Sequence, residues 1–457
     1  MTRIWWRRGW AFGLMLIVLL GLGCVNGNNK LVEEDVTSLW FYGKPLYEIY
    51  VRSFTPQGTF EGLRNSLDHI QTLGIKNIWL MPIHPIGELG RKGSAGSPYS
   101  VQDYFATGSE YGSKEDFRKL VDDVHARDMH LILDMVMNHS SNDHVEMEKH
   151  PDWYMRDEDG NFMREVADWS DVTDWDFSNP KTVKYLTGVL EYWVKEFDVD
   201  GYRCDVAGMV PKEFWEHAIP RLKKIKPDIF MLAEWEESWI LDAGFNAAYD
   251  WTLYHRMKDH ATGDIDVDSL WAVIEKTEAA YPEGKLPLRF VENHDEPRSA
   301  ETFGWPTVQP YATLIFTLPG IPLMYNGQEV GAKNKPSLFE PEPIPWARHG
   351  GTDFMNFYHD LIHLRNSHEV LQKGDLDRID CDVPGVLAFT RMYEGQTALV
   401  LINFTDREID AVLPTEGLGL QLIRELGELG DVEGNFATLP LEAYSSQTLF
   451  QSSVNEE

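Results

Sequence analysis

The 457-residue sequence predicts an α/β fold on a parallel sheet of eight strands, open or closed into a barrel, with a smaller all-β region after it. Three observations predict this. Short apolar or β-branched runs alternate with segments whose apolar residues recur at helical spacing. Acidic residues close several of those runs, namely Asp205, Glu234 and Asp295. From about Gly374 the rhythm changes to short runs separated by turn residues.

The eight predicted strands are 46–54, 75–82, 130–136, 199–205, 229–234, 245–251, 288–293 and 321–325. Between the first two, Leu63, Leu67, Ile70 and Leu73 mark an amphipathic helix. The stretch 140–176 is rich in Asp, Glu, Trp and Met, breaks the alternation and reads as an insertion after the third strand. Strands 386–393, 398–404 and 444–450 form the terminal region. Barrels and open sheets both bind ligands at strand C-termini, so the acidic ends mark the functional face in either case.

Hydrophobic residues are 43% and charged residues 25%, which fits a globular chain rather than a disordered, collagenous or coiled-coil one. The formal net charge is −32. Such a field repels phosphate backbones, so nucleic acid is not an expected partner, whereas a neutral ligand suits it.

Arg3, Arg7 and Arg8 precede 15 uncharged, mostly apolar residues, 9–23. That is short of the about 20 residues of a membrane span and reads as an export signal. Its end at Cys24 resembles the bacterial lipoprotein cleavage box, although Gly21 stands where that box usually has Leu. The expectation is an exported monomer, either secreted or held by a lipid on Cys24 as a cell-envelope lipoprotein of the periplasm or outer membrane. Residues 24–43 are expected to be a tether. Cys204 and Cys381 are expected as free thiols, and no cysteine spacing suggests zinc.

Four clusters carry the chemistry. The third strand runs into Asp134, Asn138 and His139, and the fourth ends Arg203-Cys204-Asp205. The fifth ends in Glu234, and the seventh runs into His294-Asp295 and Arg298. Arg203 and Asp205 are two residues apart, so strand alternation puts both on one face, and a nearby guanidinium favours the charged carboxylate.

These four clusters, in this order, resemble the signature regions of the α-amylase superfamily, retaining glycoside hydrolases of family 13. The likeness extends to Gly96-Ser-Pro-Tyr99 with Asp103-Tyr104, and to 320–329 around Tyr325. It spans about residues 44–450. The resemblance implies a (β/α)8 TIM barrel in two parts, 44–139 and 177–373. It also implies a small insertion domain after strand 3 (140–176) and a C-terminal all-β domain (374–457).

It further implies cleavage of α-1,4-glucosidic bonds in starch or maltodextrins through a covalent glycosyl-enzyme. An exo-acting α-glucosidase and a glucanotransferase are the alternatives. Asp205 aligns with the nucleophile, Glu234 with the general acid/base and Asp295 with the third carboxylate. Two close carboxylates are what retention needs. Tyr99, His139, Arg203, His294 and Arg298 align with substrate-contacting positions.

The resemblance requires no cofactor and permits calcium at Asn138, with Asp171, Asp174 and Asp176 as candidate acids nearby. Calcium-binding members usually carry a Lys-His pair three and four residues past the nucleophile. Gly208 and Met209 stand there, which puts that site and the usual reducing-side contacts in doubt. Trp153, Trp169, Trp175, Trp235 and Trp239 could stack on glucan or pack in the core.

Overall fold

The computed structural model describes residues 36–346, 352–381 and 383–451. The export-signal expectation for 1–23 and the lipidation expectation at Cys24 lie outside the described residues.

Strands β1 (Leu46–Ile49), β2 (Asn77–Leu80) and β3 (His130–Val136) lead into a short antiparallel pair, β4 (His139–Ser141) and β5 (Val172–Asp174). The parallel sheet resumes with β6 (Gly201–Asp205), β7 (Phe230–Ala233), β8 (Ala247–Tyr249), β9 (Leu286–Arg289) and β10 (Ile321–Tyr325). The sheet closes in the order β1-β10-β9-β8-β7-β6-β3-β2. The open alternative is therefore excluded, and the fold is the TIM barrel.

Alternation along the strands sorts the side chains. Trp79, Ile132, Leu232, Leu288 and Leu323 fill one buried cluster inside the barrel. Ile78, Leu131, Leu133, Tyr202, Cys204 and Met231 belong to the larger cluster that also holds the apolar faces of the surrounding helices. Cys204 is thus buried packing and a free thiol, and Cys381 is half-buried.

The helix Pro180–Phe197 shows how the sequence builds that outer layer. Asn179 caps it by accepting from the Lys181 N–H, proline occupies its first turn, and Leu186, Leu190, Trp193 and Phe197 form its buried stripe. The Trp193 indole donates to the Tyr104 carbonyl at 2.9 Å. The Tyr104 hydroxyl in turn lies 2.7 and 2.6 Å from the carbonyls of Val136 and His139. A helix face thereby fixes the chain where the third strand turns into the insertion.

Several expectations are corrected. The run 46–54 is strand only to Ile49, and Val51–Phe54 is a helical turn. The Tyr50 N–H is taken by the Asn326 side chain at 2.6 Å, which ends the strand. The helical pattern 63–73 divides into Phe60–Arg64 and Leu67–Leu73, where the Ser66 hydroxyl bonds the Gly62 carbonyl at 3.0 Å. The run 288–293 begins two residues later than the observed strand Leu286–Arg289, and Phe290 onward leaves the sheet.

Residues 36–43 are not a tether. Phe41 is buried against Phe230, with ring centroids 4.5 Å apart. Trp40 stacks on His130 at 4.1 Å and donates to the Asp228 carbonyl at 3.0 Å. The aromatic pair covers the N-terminal ends of β3 and β7, where apolar side chains would otherwise meet water.

The C-terminal region holds a four-stranded sheet of β11 (Asp375–Ile379), β12 (Val386–Tyr393), β13 (Gln396–Asn403) and β17 (Ser446–Gln451). A second sheet is built from β14 (Ile409–Pro414), β15 (Asp431–Glu433) and β16 (Phe436–Leu441). The region is not purely β. Helix Leu420–Leu429 packs Leu422 and Leu426, four residues apart, into the same core as Leu439 and Leu441.

Candidate active site

Arg203 organises the C-terminal end of the barrel. It is wholly buried, and its side chain reaches three carboxylates. Nη1 lies 2.9 Å from Asp134 Oδ1 and 2.9 Å from Asp205 Oδ1, while Nη2 lies 2.9 Å from Glu234 Oε2. Nε donates to the Tyr249 hydroxyl at 3.3 Å. Strands β3, β6 and β7 therefore deliver their terminal acids to one cation.

Glu234 also accepts a hydrogen bond from the Val206 N–H at 2.7 Å. Val206 holds a left-handed backbone, φ 37°, which is costly for a β-branched residue and aims that N–H at the carboxylate. Burial pushes the Glu234 pKa up to about 8; Arg203 opposes this, and Asp205 and Asp295 reinforce it. Burial likewise raises Asp134 to about 7 against the pull of Arg203.

Asp295 stands opposite, beyond β9. His294 Nε2 lies 3.1 Å from Asp295 Oδ2 and 2.7 Å from the Tyr99 hydroxyl. His294 Nδ1 is hydrogen-bonded to Glu48 at the end of β1. Burial alone would lower the His294 pKa, but Asp295 and Glu48 lift it well above the ordinary histidine value. Burial would raise Asp295, yet the adjoining imidazolium holds its carboxyl well below the usual carboxylate range. The two residues thus form an ion pair. Tyr99 lies over His294, ring centroids 5.5 Å apart, and touches Asp134 at 3.2 Å.

A cavity of about 200 Å³ opens onto this cluster. Tyr99, His139, Asp205, Glu234, His294 and Asp295 line it. Burial lowers the His139 pKa and keeps the ring neutral, and the ring lies 5.1 Å from Trp169. A second cavity, of about 350 Å³, is lined by Val206, Glu234, Trp235, Glu236, Glu237 and Trp251. A further cavity, about 700 Å³ around Trp346 and His69, is lined by none of these carboxylates.

Two of the residues predicted to contact substrate lie outside the lining of that cavity. Arg298 is fully buried, ion-paired to Glu292 at 2.6 Å and packed over the Tyr325 ring at 4.4 Å. It braces the interior below the cleft instead of lining it. Arg203 holds carboxylates from beneath and also does not line the cavity. Sequence reasoning missed Glu48, Lys92, Leu338 and Phe339, although the last three line the cavity. Glu48 showed a signal, a carboxylate near the end of the first strand, like the acids at the other strand ends.

Around Asn138 most of the candidate acids are engaged with protein partners, although Asp174 Oδ1 is buried without a hydrogen bond. The Asn138 amide contacts its neighbour His139 at 3.3 Å. Asp171 Oδ1 is 3.0 Å from the Lys92 ammonium. Asp174 Oδ2 accepts the Glu165 N–H at 2.6 Å, and Asp176 Oδ1 the Ser178 N–H at 2.9 Å. Calcium needs roughly six to eight converging oxygens. Among the described residues, no group of three or more His, Cys, Asp or Glu is arranged to hold a metal ion.

The model of the α-amylase catalytic domain matches residues 26–169 and 149–353. The chain belongs to that family. Its fold is similar to that of a maltogenic α-amylase, AmyB, from Thermotoga neapolitana, at 30% identity and TM-score 0.80 over 89% of this chain and 99% of that one. An α-amylase from Lactobacillus plantarum is similar at 30% identity and TM-score 0.81, over 90% and 99%. Among curated relatives, α-amylase MalA of Haloarcula japonica is 28% identical over 429 residues, which cover 89% of this chain and 62% of that protein. The α-amylase family member described here therefore spans less than two thirds of that relative's length.

Proposed function

We propose that the chain hydrolyses α-1,4-glucosidic bonds of starch-derived glucans or malto-oligosaccharides with retention of anomeric configuration. The observation that carries this reading is one buried guanidinium holding Asp205 and Glu234 side by side, each 2.9 Å from its nitrogens, at the mouth of the cavity. Retaining enzymes keep the two carboxyl groups about 5–5.5 Å apart, whereas inverting ones leave room for a water between them.

Glu234, protonated because its pKa is about 8, gives its proton to the glycosidic oxygen. Asp205 attacks the anomeric carbon as the bond to that oxygen breaks, and a glycosyl ester forms on Asp205. The ionised Glu234 then takes a proton from water, the water oxygen bonds to the anomeric carbon, and the Asp205 carboxylate leaves. Asp295, fixed as an anion by His294, faces the sugar hydroxyls, whose hydrogen bonds strengthen as the ring gains oxocarbenium character. Tyr99 offers its ring to the apolar face of the sugar.

The test is early-time proton NMR of maltoheptaose hydrolysis, which should show the α-anomer at the new reducing end. Asp205→Ala and Glu234→Gln should lose turnover by orders of magnitude with circular dichroism unchanged. A β-anomer product, or wild-type turnover in either variant, overturns the reading.

Export and lipidation at Cys24 complete the proposal, supported by the basic start and the apolar run before that residue. Intact-mass analysis of the membrane fraction should show a diacylglyceryl-modified Cys24, and an unmodified N-terminus would refute it.

A further inference from the structure

The two cavities flanking the carboxylates share Val206 and Glu234. The glycosidic oxygen must lie beside Glu234 to receive its proton. The sugar attacked by Asp205 therefore fills the 200 Å³ cavity, and the leaving sugar crosses the 350 Å³ one. The first is smaller than the roughly 300 Å³ at which small-molecule pockets usually begin.

Its remaining lining comes from three segments stitched together. Lys92 Nζ reaches Asp171 Oδ1 at 3.0 Å and the Asp168 carbonyl at 2.8 Å, which ties the loop after β2 to the insertion. Gly90, at φ +84°, lets the same loop lie against Ser170, whose carbonyl would be 3.1 Å from an added Cβ. Four to five residues on, the loop meets the segment after β10. Ala95 N–H donates to the Phe339 carbonyl at 3.0 Å and Ser94 N–H to Glu340 at 2.7 Å. Gly93, at φ +66°, has room for no side chain, because a Cβ would stand 2.6 Å from that of Phe339. Arg52 clamps the junction by donating to the carbonyls of Gly96 and Leu338, both at 3.0 Å.

We infer that this strap closes the donor side after one glucosyl unit, so that the chain acts on the non-reducing ends of malto-oligosaccharides and releases glucose. Lys92 and Asp171 are the specificity-determining pair. This inference rests on the hydrolase reading above. A terminal glucosyl presents free hydroxyls that both donate and accept, and the ammonium and carboxylate of the pair match them. An internal glucosyl carries a further ring at O4, which the strap would meet. A closed site that excludes the extra ring discriminates more strongly than added contacts to the correct end.

The experiment uses reducing-end-labelled maltoheptaose, the same sugar with its non-reducing O4 and O6 blocked by an ethylidene acetal, and γ-cyclodextrin, which has no end. The wild-type protein should convert the label first to maltohexaose with equimolar free glucose. It should cleave the blocked sugar and the ring at least about a hundredfold more slowly. Lys92→Ala and Phe339→Ala should each raise cleavage of the blocked sugar relative to the free one by about tenfold or more, with melting temperature checked to exclude misfolding. Early internal fragments, maltose as first product, or ring opening at the free-sugar rate in the wild type would overturn the inference while leaving the hydrolase reading intact. Unchanged selectivity in both folded variants would overturn the role of the strap. No cleavage of any of the three sugars would overturn the hydrolase reading itself.

Discussion

Gly208 lies directly against the indole of Trp235: a Cβ built on Gly208 would stand 2.0 Å from Trp235 Cδ2 and Cε2. Gly208 follows Asp205 by three residues and Trp235 follows Glu234 by one, so the contact links the chain segments carrying both proposed reacting carboxylates. It also explains the departure from the Lys-His pair. A long side chain at 208 would occupy the volume that the indole fills, and the ledge formed by Trp235 and Trp251 over the second cavity would be lost. A packed ring cannot yield cheaply, because interiors have little spare volume.

Gly208→Ala is therefore expected to displace Trp235 and to weaken the leaving-group side. The loss should resemble that of Trp235→Ala, about tenfold in kcat/KM for maltotriose, the worth of about 1.4 kcal/mol of stacking. Steady-state kinetics of the two variants and their double mutant check it. The double mutant should be no worse than Trp235→Ala alone, and additive losses would show that the two residues act independently.

Glu234 sets the alkaline limit. Its proton is needed for the first step and its pKa is about 8, so kcat/KM should fall as pH rises through about 8. Stability carries the same sign. A carboxyl raised from 4.5 to about 8 on folding stabilises the native state below pH 4.5, and that contribution is lost as pH rises towards 8. Glu234→Gln should consequently melt higher than the wild type at pH 9 and show no such gain at pH 4. Melting curves at the two pH values decide it, and a gain that is equal at both would sink the assignment of burial as the cause.

Asp205, Glu234 and Asp295 were legible because a barrel presents strand ends to its ligand, and a carboxylate at a strand end survives in the sequence as a local pattern. Asp134 belongs to the same pattern, and the pairing of β3 with β6 in the structure brings it to Arg203. Depth was not legible. Arg298 sits one turn beyond Asp295, yet it folds inward onto Glu292 because the chain leaves β9 before residue 290. Lys92 escaped notice because its partners, Asp168 and Asp171, come from the insertion, and nothing local announces that pairing. Residues 36–43 were misread through their polar neighbours, although the aromatic run Trp40-Phe41-Tyr42 was itself a sign of burial.

Arg203 is expected to be essential to the fold as well as to the rate. Replacing it by Met leaves Asp134, Asp205 and Glu234 buried together without a counter-ion. Breaking one partner out of such a buried group costs about 3–5 kcal/mol. The cost arises from ionised carboxylates, so it should be larger at pH 8 than at pH 5, where Asp134 and Glu234 take up protons more readily. Chemical denaturation of Arg203→Met at both pH values measures this. A pH-independent loss would mean that the guanidinium contributes packing alone.

The aromatic cover on the N-terminal face gives the last prediction. Phe41 is 2% exposed and meets Phe230 inside the barrel, while Trp40 closes over His130. Phe41→Ala should cost about 3–5 kcal/mol, as truncation of a buried phenylalanine does where the surroundings cannot collapse into the space. Asp134 and Glu234 sit towards the other ends of β3 and β7, the strands whose bases this pair covers. A variant that only loosens the base should keep its KM below the melting transition while its unfolding midpoint falls. Thermal unfolding and Michaelis kinetics at 25 °C separate the two. An unchanged midpoint would mean that residues 36–43 do not seal the barrel in solution and return them to the role of a tether.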